Sequence, residues 1–234
     1  MRFIPAVSEF IERVRRDEIG DPQSATIELG HPFMPDGRHR LFDPALGGGA
    51  LLDLGVYAVS LAIALFGPAL QVQSQATMGS TGVDEHVTAL LAHGARRQSL
   101  IAASLRTRLS NGASVAGTRG WAVLREPLYR PSALRITAVT PRFLGADREV
   151  ASEPVRGGGV RRALSGLLGV VPPTLRDGGR TILRPYRGNG YGYEAAEAMR
   201  CLREGLLESP RMPLDDTVRV METLDAIRSQ WKVL

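Results

Sequence analysis

The stretch from Gly47 to Pro68 decides what this chain can fold into. Gly47-Gly48-Gly49 reads as loose, bare backbone, and a helical pattern begins directly after it. The pattern runs through Leu54, Leu61 and Leu65 to Phe66, where Gly67-Pro68 ends it with a C-cap glycine and a residue that cannot continue a helix. Almost every position is apolar, so the helix must be covered all round and the rest of the chain must supply the cover. Two ionisable residues interrupt it. Asp53 and Tyr57 stand four apart and share a face, and Ser60 continues their stripe. Gly55 between them weakens the helix by roughly 1 kcal/mol relative to alanine; it is read as allowing the close approach of something flat.

Unpaired polar groups in an apolar setting are costly, so the stripe needs a reason. Two readings stand. One is a buried Asp–Tyr hydrogen bond, or an aspartate capping a neighbouring loop. The other is an acid–base pair, with the phenol moving a proton and the carboxylate tuning or orienting it.

Elsewhere the texture tells helices from strands. Residues 6 to 18 carry Val7, Phe10, Ile11 and Val14 at helical spacing, and Ser24 to Leu29 alternates like a strand. A polar loop, His31 to Pro44, leads into the central helix, and its His39, Arg40 and Phe42 are candidate ligand contacts. Six short strands are expected between Leu70 and Val139, separated by turn signals such as Gly79-Ser80-Thr81-Gly82 and Asn111-Gly112. Connections this short imply antiparallel pairing, so this region is expected to be a continuous meander. Residues 153–187, rich in Gly, Arg and Pro, read as an irregular excursion. Two closing helices follow: Tyr191 to Glu208, with Ala195, Ala198, Met199, Leu202 and Leu206 expected inward, and Asp215 to Trp231. The fold class that results is α+β, an open, mostly antiparallel sheet with helices packed on one face. Residues 1–234 are read as a single domain.

Composition narrows the function. A net charge of +5 invites a nucleic-acid reading, but the only lysine is Lys232 and the arginines are dispersed among acids. No nucleic-acid partner is expected. The most apolar helix carries Asp53 and no signal peptide is evident, so no membrane partner is expected either. The single cysteine, Cys201, forms no internal disulfide and fits a cytoplasmic location. No Cys/His spacing suggests a metal. Gly157-Gly158-Gly159 lacks the lysine, the hydroxyl residue and the strand–helix setting of a phosphate loop.

The run GGGALLDLGVY, with RLFDP upstream, resembles the Asp-x-Gly-x-His/Tyr motif of the glucose–fructose oxidoreductase/inositol dehydrogenase (Gfo/Idh/MocA) family. The Tyr57 variant is most similar to its dihydrodiol dehydrogenase branch. The closing segments, GNGYGYEAAEAMRCLREGLLESP and the helix from Asp215 to Trp231, resemble the same family. The resemblance implies a substrate-binding and catalytic half of an NAD(P)-dependent oxidoreductase on a sugar or diol. In it Tyr57 and Asp53 are catalytic, His39, Arg40, Phe42 and Tyr191 meet the substrate, and Gly55 faces the cofactor. It also implies NAD or NADP as cofactor and a homodimer through the sheet face. The family carries a dinucleotide-binding domain with a catalytic lysine ahead of this region. This chain shows no G-x-G-x-x-G after a strand and no lysine before Lys232, so that domain is expected to be absent, through truncation or an internal start. The alternative is a non-catalytic ligand-binding or oligomerisation module that keeps the fold.

Overall fold

A buried carboxylate and three glycines fix where the central helix begins. The computed structural model describes residues 1–34, 39–139 and 179–231. Gly47 adopts φ +70° and ends a short turn over Pro44–Leu46. A Cβ on Gly48 would come within 2.7 Å of the carbonyl oxygens of Arg40 and Leu41. One on Gly49, at φ +113°, would lie 2.1 Å from the Asp84 carboxylate. The glycines are therefore held tightly, and the expectation of loose backbone is corrected: each leaves room for a close neighbour or takes a dihedral other residues resist. Asp84 accepts the Leu51 N–H at 2.7 Å, capping the helix start.

The first turn, Leu51–Gly55, is a π-turn, and the α-helix α2 follows over Val56–Phe66. Gly67, at φ +82°, ends it. Helix α1 spans Pro5–Arg15 and buries Val7, Phe10, Ile11 and Val14 as its spacing predicts. The strands are β1 (Pro22–Gly30), β2 (Ala69–Met78), β3 (Asp84–His93), β4 (Gln98–Ser104), β5 (Ala113–Gly117), β6 (Gly120–Leu124), β7 (Ala133–Ala138) and β8 (Arg180–Leu183). Helices α3 (Tyr191–Arg203) and α4 (Leu214–Arg228) close the described chain.

These strands form one open sheet in the order β2-β3-β4-β1-β5-β6-β7-β8. All pairings are antiparallel except β1 with β4. The expected continuous meander is thus broken in the middle, because β1 inserts between β4 and β5. Asn111 explains how the chain crosses over the end of β1. Its side chain accepts the Gly30 N–H at 2.8 Å and donates to the Gly30 carbonyl at 3.1 Å, satisfying backbone groups the crossing would strand. Strand β8 lies inside the expected excursion; residues 153–178 of that excursion lie outside the described residues.

The core lies between the sheet and α1, α2 and α4, where Phe10, Leu61, Ile27, Leu91, Ile101 and Leu124 are buried. The Pro44–Phe66 run is long and apolar enough to cross a membrane, but most of it is buried in this core. Helix α3 departs from expectation. It buries Glu197 and Cys201, while Ala195, Ala198, Met199, Leu202 and Leu206 face outward, Leu202 at 78% exposure. Arg200 and Ser209 hold the Glu197 carboxylate, and that network turns the apolar side away.

Asp84 gives this fold a testable pH signature. Burial pushes its carboxyl from the ordinary 3.8 up to about 6, against the lowering pull of the Leu51 N–H and of Arg228, which lines the same hollow with Asp225. The folded chain then holds the extra proton between about pH 4 and 6. The group's contribution to stability is full below pH 4 and is lost as pH rises through 6. Its size is on the order of 3 kcal/mol. Asp84→Asn keeps the acceptor without the charge, so urea unfolding between pH 4 and 7 should show a smaller loss for the variant than for the parent.

Candidate active site

Asp53 and Tyr57 straddle the junction between the π-turn and α2. A π-turn closes i→i+5 hydrogen bonds, so residues four apart stay close to one line along the helix surface. Both side chains line a cavity of about 620 Å³, together with His31, Arg40, Leu54, Tyr129, Arg130, Asn189, Tyr191 and Glu194. The loop before the helix, the turn after β6 and the start of α3 thus meet at one opening.

Arg40 donates to the Asp53 carboxylate at 2.6 Å. The expected Asp–Tyr hydrogen bond does not form among the described residues: Asp53 bonds to Arg40, and the Tyr57 hydroxyl is left facing the cavity at 39% residue exposure. The phenol is held above its ordinary range. Partial burial is the main cause, the Asp53 charge adds to it, and Arg40 opposes it weakly. Tyr57 therefore stays protonated across neutral pH and can donate a proton to an oxygen placed against it. A carboxylate fixed by a guanidinium can accept from a substrate hydroxyl. Asn189 accepts the Tyr191 N–H at 3.2 Å, holding the start of α3 with its ring at the cavity rim.

Four of the seven residues expected at the site, Asp53, Tyr57, Arg40 and Tyr191, are brought together. Three are not. Phe42 is buried in the core, and His39 caps the short turn over Arg40–Phe42 through Nδ1 and Leu41 N–H at 3.3 Å. Gly55 faces the sheet: a Cβ there would lie 2.9 Å from Leu51 Cδ1 and 3.6 Å from Ala103 Cβ. The tight neighbour is Leu51 of its own turn, with β4 at ordinary contact distance beyond it, and Gly55 is not among the residues lining the cavity. Ser60 also leaves the stripe, since its hydroxyl and carbonyl take Arg2 at 3.1 and 2.7 Å. Arg2 in turn reaches Asp216 at 2.5 Å and ties α2 to α4.

Sequence reasoning missed Tyr129, Arg130, Asn189, His31 and Glu194. A Tyr-Arg pair between Pro127 and Pro131, in a connection between strands, was the available signal. Among the described residues no group of three or more His, Cys, Asp or Glu could hold a metal ion. A dinucleotide needs a cradle for its phosphates at a helix start. The glycine-rich turn that opens the central helix has that position filled by Asp84.

Trans-1,2-dihydrobenzene-1,2-diol dehydrogenase of Macaca fascicularis is 31% identical over 232 residues, covering 97% of this chain. The human protein of that name is 29% identical over 232 residues. The chain spans 59% of the length of either relative. The fold matches levoglucosan dehydrogenase in complex with NADH and levoglucosan, at TM-score 0.72 and 19% identity, over 97% of this chain and 61% of that one. It also matches aldose–aldose oxidoreductase from Caulobacter crescentus complexed with glycerol, at TM-score 0.71 and 18% identity, over 97% of this chain and 58% of that one. The profile of the GFO/IDH/MocA C-terminal domain matches residues 7–123, half of the chain. With that match and the shared sheet architecture, the chain belongs to the GFO/IDH/MocA C-terminal domain family.

Proposed function

We propose that this chain is the substrate-binding and catalytic half of a nicotinamide-dependent oxidoreductase acting on a hydroxyl or carbonyl of a sugar or diol. The observation that carries it is the meeting of Tyr57, Asp53 and Arg40 in one cavity of about 620 Å³. Such a volume suits a small polar molecule held by a few convergent groups. The substrate's carbonyl oxygen takes the Tyr57 proton in the reducing direction, and a neighbouring hydroxyl donates to Asp53, which Arg40 holds in place.

A nicotinamide gives or takes the hydride in such chemistry, and the glycine-rich turn opening α2 does not offer its phosphate cradle, since Asp84 fills that helix start. The reading accordingly places the cofactor on a separate dinucleotide-binding domain outside this chain. Outward-facing Met199, Leu202, Val218 and Met221 on α3 and α4 support such a neighbour. A non-catalytic ligand-binding module would keep the cavity but would give no reason for a desolvated phenol beside a fixed carboxylate.

Three outcomes test this. Titrating NADPH against the isolated chain should give no saturable fluorescence change below the millimolar range; micromolar binding would overturn the separate cofactor domain. In an enzyme combining this half with a dinucleotide-binding domain, Tyr57→Phe should cut turnover by roughly 10²-fold. Its stability should fall by less than about 1.5 kcal/mol, since among the described residues the hydroxyl has no hydrogen-bond partner to lose. Unchanged turnover would sink the acid role.

The outer sheet face concerns assembly. Leu90 stands opposite Leu100, and Trp121 is exposed nearby on the same face. We propose that two copies pack these faces together as a homodimer. Light scattering at tens of micromolar should give twice the chain mass, and Leu100→Lys should shift it towards the monomer.

A further inference from the structure

The cavity around Tyr57 carries a positive charge that a neutral polyol would not use. Arg40 is committed to Asp53 at 2.6 Å, and Glu194 to the terminal ammonium at 2.7 Å. Arg130 lines the same wall. Its Nε is shut off from solvent without an acceptor, and among the described residues its guanidinium forms no ion pair. It lies over the Tyr129 ring, 5.3 Å from the centroid, while its backbone N–H is held by the Pro127 carbonyl at 2.8 Å. The contact with the ring face holds the guanidinium over Tyr129 but satisfies none of its N–H groups. A partly buried donor without an acceptor is unfavourable, and structures rarely keep one without a use.

The planar fork of an arginine matches a carboxylate or phosphate in two parallel hydrogen bonds. Asn189 and His31 line the same cavity, and its two carboxylates, Asp53 and Glu194, are each paired with a cation already, Arg40 and the terminal ammonium. We propose that Arg130 is a subsite for an anionic group on the substrate, so that the molecule taken is an acidic polyol. Its reacting oxygen then lies against Tyr57 and its carboxylate or phosphate against Arg130. This rests on the oxidoreductase reading for the first contact only.

Calorimetry on the full chain at low ionic strength tests it with glucose, glucuronate and glucose 6-phosphate. At least one anion should bind roughly tenfold or more tightly than glucose, the worth of one charge-assisted pair. The two anions separate a carboxylate from a phosphate preference. Arg130→Gln should erase the advantage, Arg130→Lys should keep part of it, and thermal melts should show both variants folded. Tyr57→Phe should weaken all bound sugars alike and leave the ratio intact. Equal affinity for all three sugars, no binding by any, or a preference that survives in Arg130→Gln would overturn the proposal. If Arg130→Gln does not fold, the parent's sugar preference and its loss in high salt decide the matter. A changed ratio with unaffected Tyr57→Phe binding would leave the subsite standing and count against the Tyr57 contact.

Discussion

One hydrogen bond, from the Leu51 N–H to the Asp84 carboxylate, sets the position of everything chemical in this molecule. A capping acceptor at a helix start contributes about 1 kcal/mol. Its larger effect is geometric. Asp84 is the first residue of β3, so the cap locks the helix start to the sheet at a fixed depth. Gly48 and Gly49 are required because the chain must pass between three carbonyls and that carboxylate with no room for a Cβ. With the start pinned and the end closed at Gly67, an apolar helix buried on nearly all sides cannot slide or rotate. The π-turn is the adjustment that turns Asp53 towards the loop carrying Arg40. The burial that makes Asp84 a fixed anchor also raises its affinity for a proton, so the anchor carries a cost at neutral pH.

Local patterns made the helices and most strands legible. Alternation located β2 through β7 almost to the residue, because each strand has one face on the core and one outside. The place of β1 was not legible. Its pairing with β4 and β5 is a long-range contact that no short window encodes, and the clue, Asn111, reads locally as an ordinary turn residue. Helix α3 fails for a different reason. Its apolar stripe is regular, but Glu197 is drawn inward by Arg200 and Ser209, and the stripe is left for another surface. Periodicity identifies an apolar face without saying what covers it.

The candidate site divides the same way. Asp53 and Tyr57 stood out because they contradict the helix around them, and a contradiction with burial is visible in sequence. Arg40 followed from its place in the entering loop. Phe42 came from the same loop and is core, which shows that proximity in sequence fixes nearness and not direction. Gly55 was read as making room for something flat, and the side chain that crowds it is Leu51 of its own turn, with Ala103 of β4 at ordinary contact distance. Tyr129, Arg130 and Asn189 arrive from segments far along the chain, and only the folded sheet brings them to Tyr57.

The site's electrostatics set how tightly Tyr57 holds its proton. Burial and the Asp53 charge raise the proton affinity of Tyr57, and Arg40, which opposes them, is engaged with Asp53. In enzymes that use tyrosine to remove a proton, an unengaged cation close by stabilises the phenolate. Among the described residues no cation opposes the phenol's proton strongly, since Arg40 is the last and weakest influence on it. A second cation brought near Tyr57 would therefore lower the phenol's proton affinity. As the described residues stand, burial and the Asp53 charge together hold the proton on Tyr57.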